Sequence, residues 1–318
     1  MTNLKKYITI PAMDNSSLKK GILFTISSYV TWGILPLYWK LLISIDSIHI
    51  LAFRIIGSLL LVAIVLSFQK NIAWLTVFKD RKKGSFMILT SLAVTINWGI
   101  YIWAVNAGHT IEASMGFYIN PLISIALGLI FFREKLKPLQ WGAFGISALG
   151  VFMITVLSGS FPWISIALAL SFGFYGLFKK KVPLAAMESL GAETLAALPI
   201  GLFLLFFKFE TNASGMVNIS SGWRELSYIA GLPIHTIIIL LFCGVVTIFP
   251  LYCFARGTKI LPLSTVGFLQ FFSPTLQFLM GYFVFAEYFP LRYFIAFAFI
   301  WAAVIIYMIS LRTVPKAE

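Results

Sequence analysis

Charge is what this chain has least of. Only 11% of its residues are Asp, Glu, Lys or Arg, against about 25% in an ordinary soluble domain. Acids are the rarer sign, with 11 Asp and Glu facing 24 Lys and Arg. A chain that is 60% hydrophobic and 16% aromatic cannot coat a soluble globule with so few polar groups, so it is expected in a bilayer. Cysteine is nearly absent too. Cys243 and Cys253 share one apolar segment, where a helix would set them about 15 Å apart and beyond disulfide reach. The three histidines, His49, His109 and His235, stand near segment ends without the spacing of metal ligands, and interfacial places are expected for them. No Gly-rich phosphate loop, serine-nucleophile elbow or His-Glu-x-x-His run occurs. Neither ATP hydrolysis nor an enzyme active site is therefore expected, and no cofactor is implied.

What is present is a series of apolar segments. They cover residues 21–42, 48–68, 85–107, 112–132, 139–157, 162–178, 187–207, 234–255, 262–286 and 291–311. The expected fold class is an all-α integral membrane protein of ten transmembrane helices arranged as two inverted five-helix repeats. Residues 1–18 and 312–318 read as tails, 19–157 as the first repeat and 162–311 as the second. An odd number of spans in each half obliges the second half to enter the membrane upside down. The longest connection, 208–233, holds Trp223, Leu226 and Tyr228 and predicts a short helix on the membrane surface.

The net charge of +13 lies in short clusters between these segments, a pattern that orients spans rather than binding nucleic acid. With the N-terminus inside, only Lys40, Lys208, Arg224 and Arg292 fall on the outer side and Arg54 within the membrane. Every other basic residue, including the run Lys179, Lys180 and Lys181, is then internal. Both termini are expected in the cytoplasm.

The halves also repeat in detail. Asn120 and Pro121 correspond to Ser273 and Pro274, and Glu134 and Glu287 follow at equal separations, for which helix-end roles are expected. Ser124 matches Gln277, and, after a small slip, Tyr101 matches Tyr252 and Ala104 matches Ala255. Gln270, Ser273 and Gln277 share one helix face, as do Asn120 and Ser124. Such faces must look into the protein, either as interhelical hydrogen bonds or as the wall of a cavity. Arg54 and Glu193 are the two intramembrane charges. Arg54 is expected to reach an outer headgroup or Glu112, and Glu193 to act either as a proton-carrying carboxylate or as a structural one near the inner interface. Small residues in the fifth and tenth segments suit internal packing or a homodimer.

Three stretches, 29–42 (YVTWGILPLYWKLL), 97–136 (NWGIYIWAVNAGHTIEASMGFYINPLISIALGLIFFREKL) and 261–289 (LPLSTVGFLQFFSPTLQFLMGYFVFAEYF), closely resemble the RarD-type permeases. These belong to the EamA branch of the drug/metabolite transporter superfamily, and the likeness extends over nearly the whole chain. The resemblance implies a ten-helix inner-membrane carrier with a central cavity, moving small polar or amphipathic compounds. On this basis Asn97, Tyr101, Asn120, Tyr252, Gln270, Ser273 and Gln277 are expected substrate contacts, with Trp32, Trp98 and Tyr175 packing its apolar part. Pro121 and Pro274 would be helix hinges, and Glu193 a coupling residue. Two rival expectations are a broad-specificity drug exporter and a non-transporting docking protein that uses the 208–233 connection.

Overall fold

A computed structural model describes residues 15–106, 110–158, 162–211, 217–221, 223–284 and 291–312. His109, Glu287 and the side chain of Glu112 fall outside the described residues. The first half comprises α1 (Asn15–Lys40), α2 (Ser47–Phe68), a short α3 (Ala73–Thr76) with a 3-10 turn, α4 (Arg81–Asn106), α5 (Thr110–Phe131) and α6 (Pro138–Ser158). The second comprises α7 (Trp163–Lys181), α8 (Ala186–Phe206), α9 (Trp223–Ala230), α10 (Ile234–Ile260), α11 (Leu263–Gln270), α12 (Phe272–Phe283) and α13 (Leu291–Arg312). Among the described residues, seven helices are long and apolar enough to cross a membrane. They leave Leu60, Ile64, Phe68, Phe152, Ile234, Leu241 and Ile305 more than half exposed, an apolar exterior that suits lipid. The chain is a multi-pass membrane protein.

Two local features depart from the all-α expectation. Strands β1 (Phe207–Thr211) and β2 (Val217–Ser221) pair antiparallel, Phe207 opposite Ser221, directly after α8. The expected surface helix follows as α9, with Ile229 buried against Leu42, Ile45 and Leu240. The ninth apolar segment is broken at Phe271 into α11 and α12. Pro274 accounts for the break, since it has no N–H to give the carbonyl of Gln270 and its ring crowds that carbonyl. Pro36 and Pro121, by contrast, lie within continuous helices.

The principal packing partners are α1 with α10 and α12, α2 with α8 and α10, α4 with α7 and α8, α5 with α7 and α11, and α6 with α13. Let α1, α2, α4, α5 and α6 correspond in order to α7, α8, α10, the α11–α12 pair and α13. Exchanging the two sets then leaves these pairs unchanged. At the crossing of α2 and α10 backbone meets backbone. A Cβ on Gly244 would lie 2.3 Å from the carbonyl carbon of Gly57, so only glycine lets these backbones meet. Of the small residues in α6, Gly150 abuts the Ala296 carbonyl of α13, whereas Gly142 and Gly145 face open space. His49, expected at an interface, is fully buried, and among the described residues neither ring nitrogen has a hydrogen-bond partner.

Candidate functional site

The corresponding helices of the two halves enclose a cavity of about 150 Å³. Its lining comes from the C-terminal halves of α1 and α4, the N-terminal parts of α2, α5 and α7, the middle of α10, and both sides of the α11–α12 break. Tyr101 is exposed there, while Tyr29, Asn120, Thr247, Gln270 and Ser273 are buried.

Of the expected contacts, Asn97, Tyr101, Asn120, Gln270, Ser273, Gln277, Trp32 and Trp98 come together on this lining, with Pro274 beside them. Tyr252, Tyr175, Glu193 and Pro121 are not part of it. Tyr252 makes an edge contact with Phe24, at 6.4 Å between ring centres. The carbonyl of Pro121 lies under Gly267, which has no room for a Cβ. Many of the polar groups already join helices. Asn97 Nδ2 donates to the Leu168 carbonyl at 2.9 Å and to Ser171 Oγ at 3.0 Å. Ser124 Oγ donates to Gln270 Oε1 at 3.2 Å, and Gln277 Nε2 to the Trp32 carbonyl at 3.3 Å. The interhelical and cavity alternatives for these faces therefore hold together. Two groups of the lining are left over: among the described residues the buried Tyr29 hydroxyl and Asn120 Oδ1 have no partner.

Arg54 stands on the cavity wall, and the side chain of Glu112, one of its two expected partners, lies outside the described residues. The guanidinium carbon lies 5.0 Å from the Trp39 ring centre and 4.6 Å from that of Trp98, and Nε donates to Thr247 Oγ1 at 3.2 Å. Indole rings attract a cation that the membrane interior would otherwise penalise, so the arginine stays on the cavity wall. Tyr29, Trp39, Phe117, Phe172 and Thr247 also line the cavity without having been singled out. Tyr29 lies three residues before Trp32 and Trp39 seven after it on the same helix, a spacing that places them on its face.

Away from Tyr101 the cavity ends in rings. Trp32 packs against Phe172 and Phe254 at 5.6 and 5.7 Å, and Tyr175 stacks on Phe254 at 5.6 Å. Tyr29 closes the same layer. Beyond it lies a layer of ions. Lys179 Nζ meets Glu193 Oε1 at 2.6 Å with both side chains buried, and Ser189 and the Tyr175 hydroxyl also donate to that carboxylate. This corrects the placement of Lys179 in a loop cluster. The residue points into the protein while Lys181 stays at the surface, because a buried carboxylate needs a counter-charge.

Glu134 belongs to the same layer. A left-handed residue, Arg133 (φ 51°), turns the chain after α5. The carboxylate of Glu134 then accepts the Leu263 and Ser264 backbone N–H groups at 2.7 and 2.8 Å. It thus serves a helix end, that of α11 in the other half, and favours it through the helix dipole. Lys180 stands 3.9 Å from Glu134 and donates to the Leu261 carbonyl.

Residues 19–156 match the EamA-like transporter family. The chain is 36% identical to Protein RarD of Salmonella typhimurium over 94% of its length and 97% of the relative's. The chain belongs to the RarD group of this family. Other relatives are the uncharacterized transporter YojE of Bacillus subtilis, 41% identical over 94% of this chain and 96% of that one, and an uncharacterized transporter of Vibrio cholerae, 39% identical over 93% and 94%. A solved crystal structure superposes with a TM-score of 0.66 at 15% identity, covering 92% of this chain and 98% of that one, which shows a shared fold. For a RarD-type protein, the cavity between its halves is the candidate transport site.

Proposed function

We propose that this chain is a secondary transporter that moves a small polar or amphipathic metabolite across the inner membrane by alternating access. In this reading ten helices span the membrane as two inverted five-helix repeats, 19–157 and 162–311, with both termini cytoplasmic. The observation that carries it is the cavity itself, bounded by corresponding helices of both halves and sealed at one end by the Trp32–Phe172–Phe254 rings and the Lys179–Glu193 pair. A site at the meeting of two repeats is where rocking of one half against the other exchanges access. The packing scheme that survives exchange of the halves supports the repeat. The clustering of Lys179, Lys180 and Lys259 at the sealed end supports its cytoplasmic orientation.

The test is a thermal-stability screen of the detergent-purified chain against small metabolites, followed by counterflow of each hit in proteoliposomes. A ligand at about 100 times its dissociation constant adds roughly 2.7 kcal/mol of stability. A narrow class of hits that exchange across the vesicle membrane, both effects weakened by Gln277→Ala, is the expected result. Hits that bind without counterflow would overturn the carrier reading. Broad, weak hits indifferent to Gln277→Ala would favour a drug exporter.

A further inference from the structure

We propose that the cavity takes a small organic carboxylate carrying one planar apolar ring, with Arg54 receiving the carboxylate. The inference rests on the carrier reading of the same cavity and names its substrate class.

Three observations converge. First, Arg54 is a cation without a counter-charge: among the described residues no carboxylate lies within ion-pair distance of it, and none lines the cavity. Its Nε is occupied by Thr247, and Trp39 and Trp98 lie against the guanidinium. Among the described residues neither terminal nitrogen has a hydrogen-bond partner. That free edge is the fork which fits a carboxylate through paired hydrogen bonds. Arg54 is half-buried with its guanidinium on the cavity wall, and a cation within a membrane span without an anion is costly, so an anionic ligand relieves the site while a cationic one worsens it.

Second, much of the remaining wall is aromatic, from Trp32, Trp98, Phe117 and Phe172. The volume of about 150 Å³ is that at which an apolar protein cavity accepts a benzene ring. Third, Tyr29 and Asn120 are buried at 1% and 5% exposure with a hydroxyl and an amide oxygen unpartnered. Such groups cost free energy until something bonds to them, and a polar substituent beside the ring would do so.

The experiment compares four probes on the full chain in detergent by calorimetric titration: phenylacetate, phenylacetamide, benzylamine and acetate. Phenylacetate is expected to bind about tenfold or more tighter than its neutral amide, the scale of a hydrogen bond to a charged group. Benzylamine and acetate should each be weaker still, one for its charge and the other for lacking a ring. Arg54→Gln should abolish the preference for phenylacetate over phenylacetamide, and Arg54→Lys should retain part of it. Equal binding of acid and amide, preference for benzylamine, or no binding of any probe overturns the proposal, whether or not the Arg54 variants fold. Counterflow separates the two claims. Arg54-dependent binding without phenylacetate exchange would sink the carrier reading and leave the site standing, whereas exchange of uncharged ring compounds with no preference for the acid would do the reverse.

Discussion

Lys179 and Glu193 form an ion pair that excludes water on both sides, at 0% and 4% side-chain exposure. Removing one partner leaves the other buried and uncompensated. Lys179→Met is therefore expected to cost roughly 3–5 kcal/mol, while Lys179→Met combined with Glu193→Gln should recover most of it. Thermal unfolding of the three proteins in one detergent checks this; equal losses in the single and double variants would refute it. If Glu193 also carries coupling protons, Glu193→Gln should lose pH-driven counterflow, and full retention would remove that role. At this scale the sequence was legible in kind more than in direction. Polar residues such as Asn97 and Gln270 announce themselves in apolar runs, because lipid gives them no partner. Which lysine of Lys179, Lys180 and Lys181 turns inward depends on the rotation of α7 against α8. Likewise Arg54 stays on the cavity wall because Trp39 and Trp98 come from two other helices. No local pattern encodes either.

Helix contacts set the next group of expectations. The α2–α10 crossing leaves no space at Gly244, where a Cβ would also stand 2.5 Å from the Gly57 carbonyl oxygen. Gly244→Ala should force the helices apart and reduce the yield of monodisperse protein in size-exclusion chromatography. Gly142→Ala and Gly145→Ala, with nothing within 4 Å, should behave as the parent. Pro274→Ala restores an N–H at the break between α11 and α12 and favours one continuous helix. Stability should be kept or gained while exchange slows, so unaltered exchange would argue against a hinge there. The segment pattern foretold a helical membrane chain, since twenty-odd apolar residues have little choice in a bilayer, and seven of the described helices are long and apolar enough to span one. It does not announce the β1–β2 pair, because the aromatic spacing within 208–233 points to a helix while Phe207–Thr211 and Val217–Ser221 are ordinary strand sequences of alternating character. The break at Phe271 was foreshadowed by Pro274, but the equivalent Pro121 leaves α5 continuous, and sequence alone does not tell the two apart.

For the molecule as a whole, the sealed end implies a resting state that admits reagents from one side only. In a background lacking Cys243 and Cys253, both buried, Tyr101→Cys should react with a membrane-impermeant maleimide added outside. Phe254→Cys, within the ring layer, should stay protected, and in inside-out vesicles, where the reagent meets the opposite end, Glu134→Gln should raise its reactivity by loosening that end. Equal labelling at both positions would contradict a one-sided cavity. The Glu134 contact also bears on biogenesis. Pro262, at the start of α11, offers no side-chain cap, and the acceptor for its first amides is made 129 residues earlier. The ribosome thus delivers the receptor before the segment that needs it. α11 can settle only by docking on a half already inserted, so the order of synthesis becomes part of how the two halves find each other.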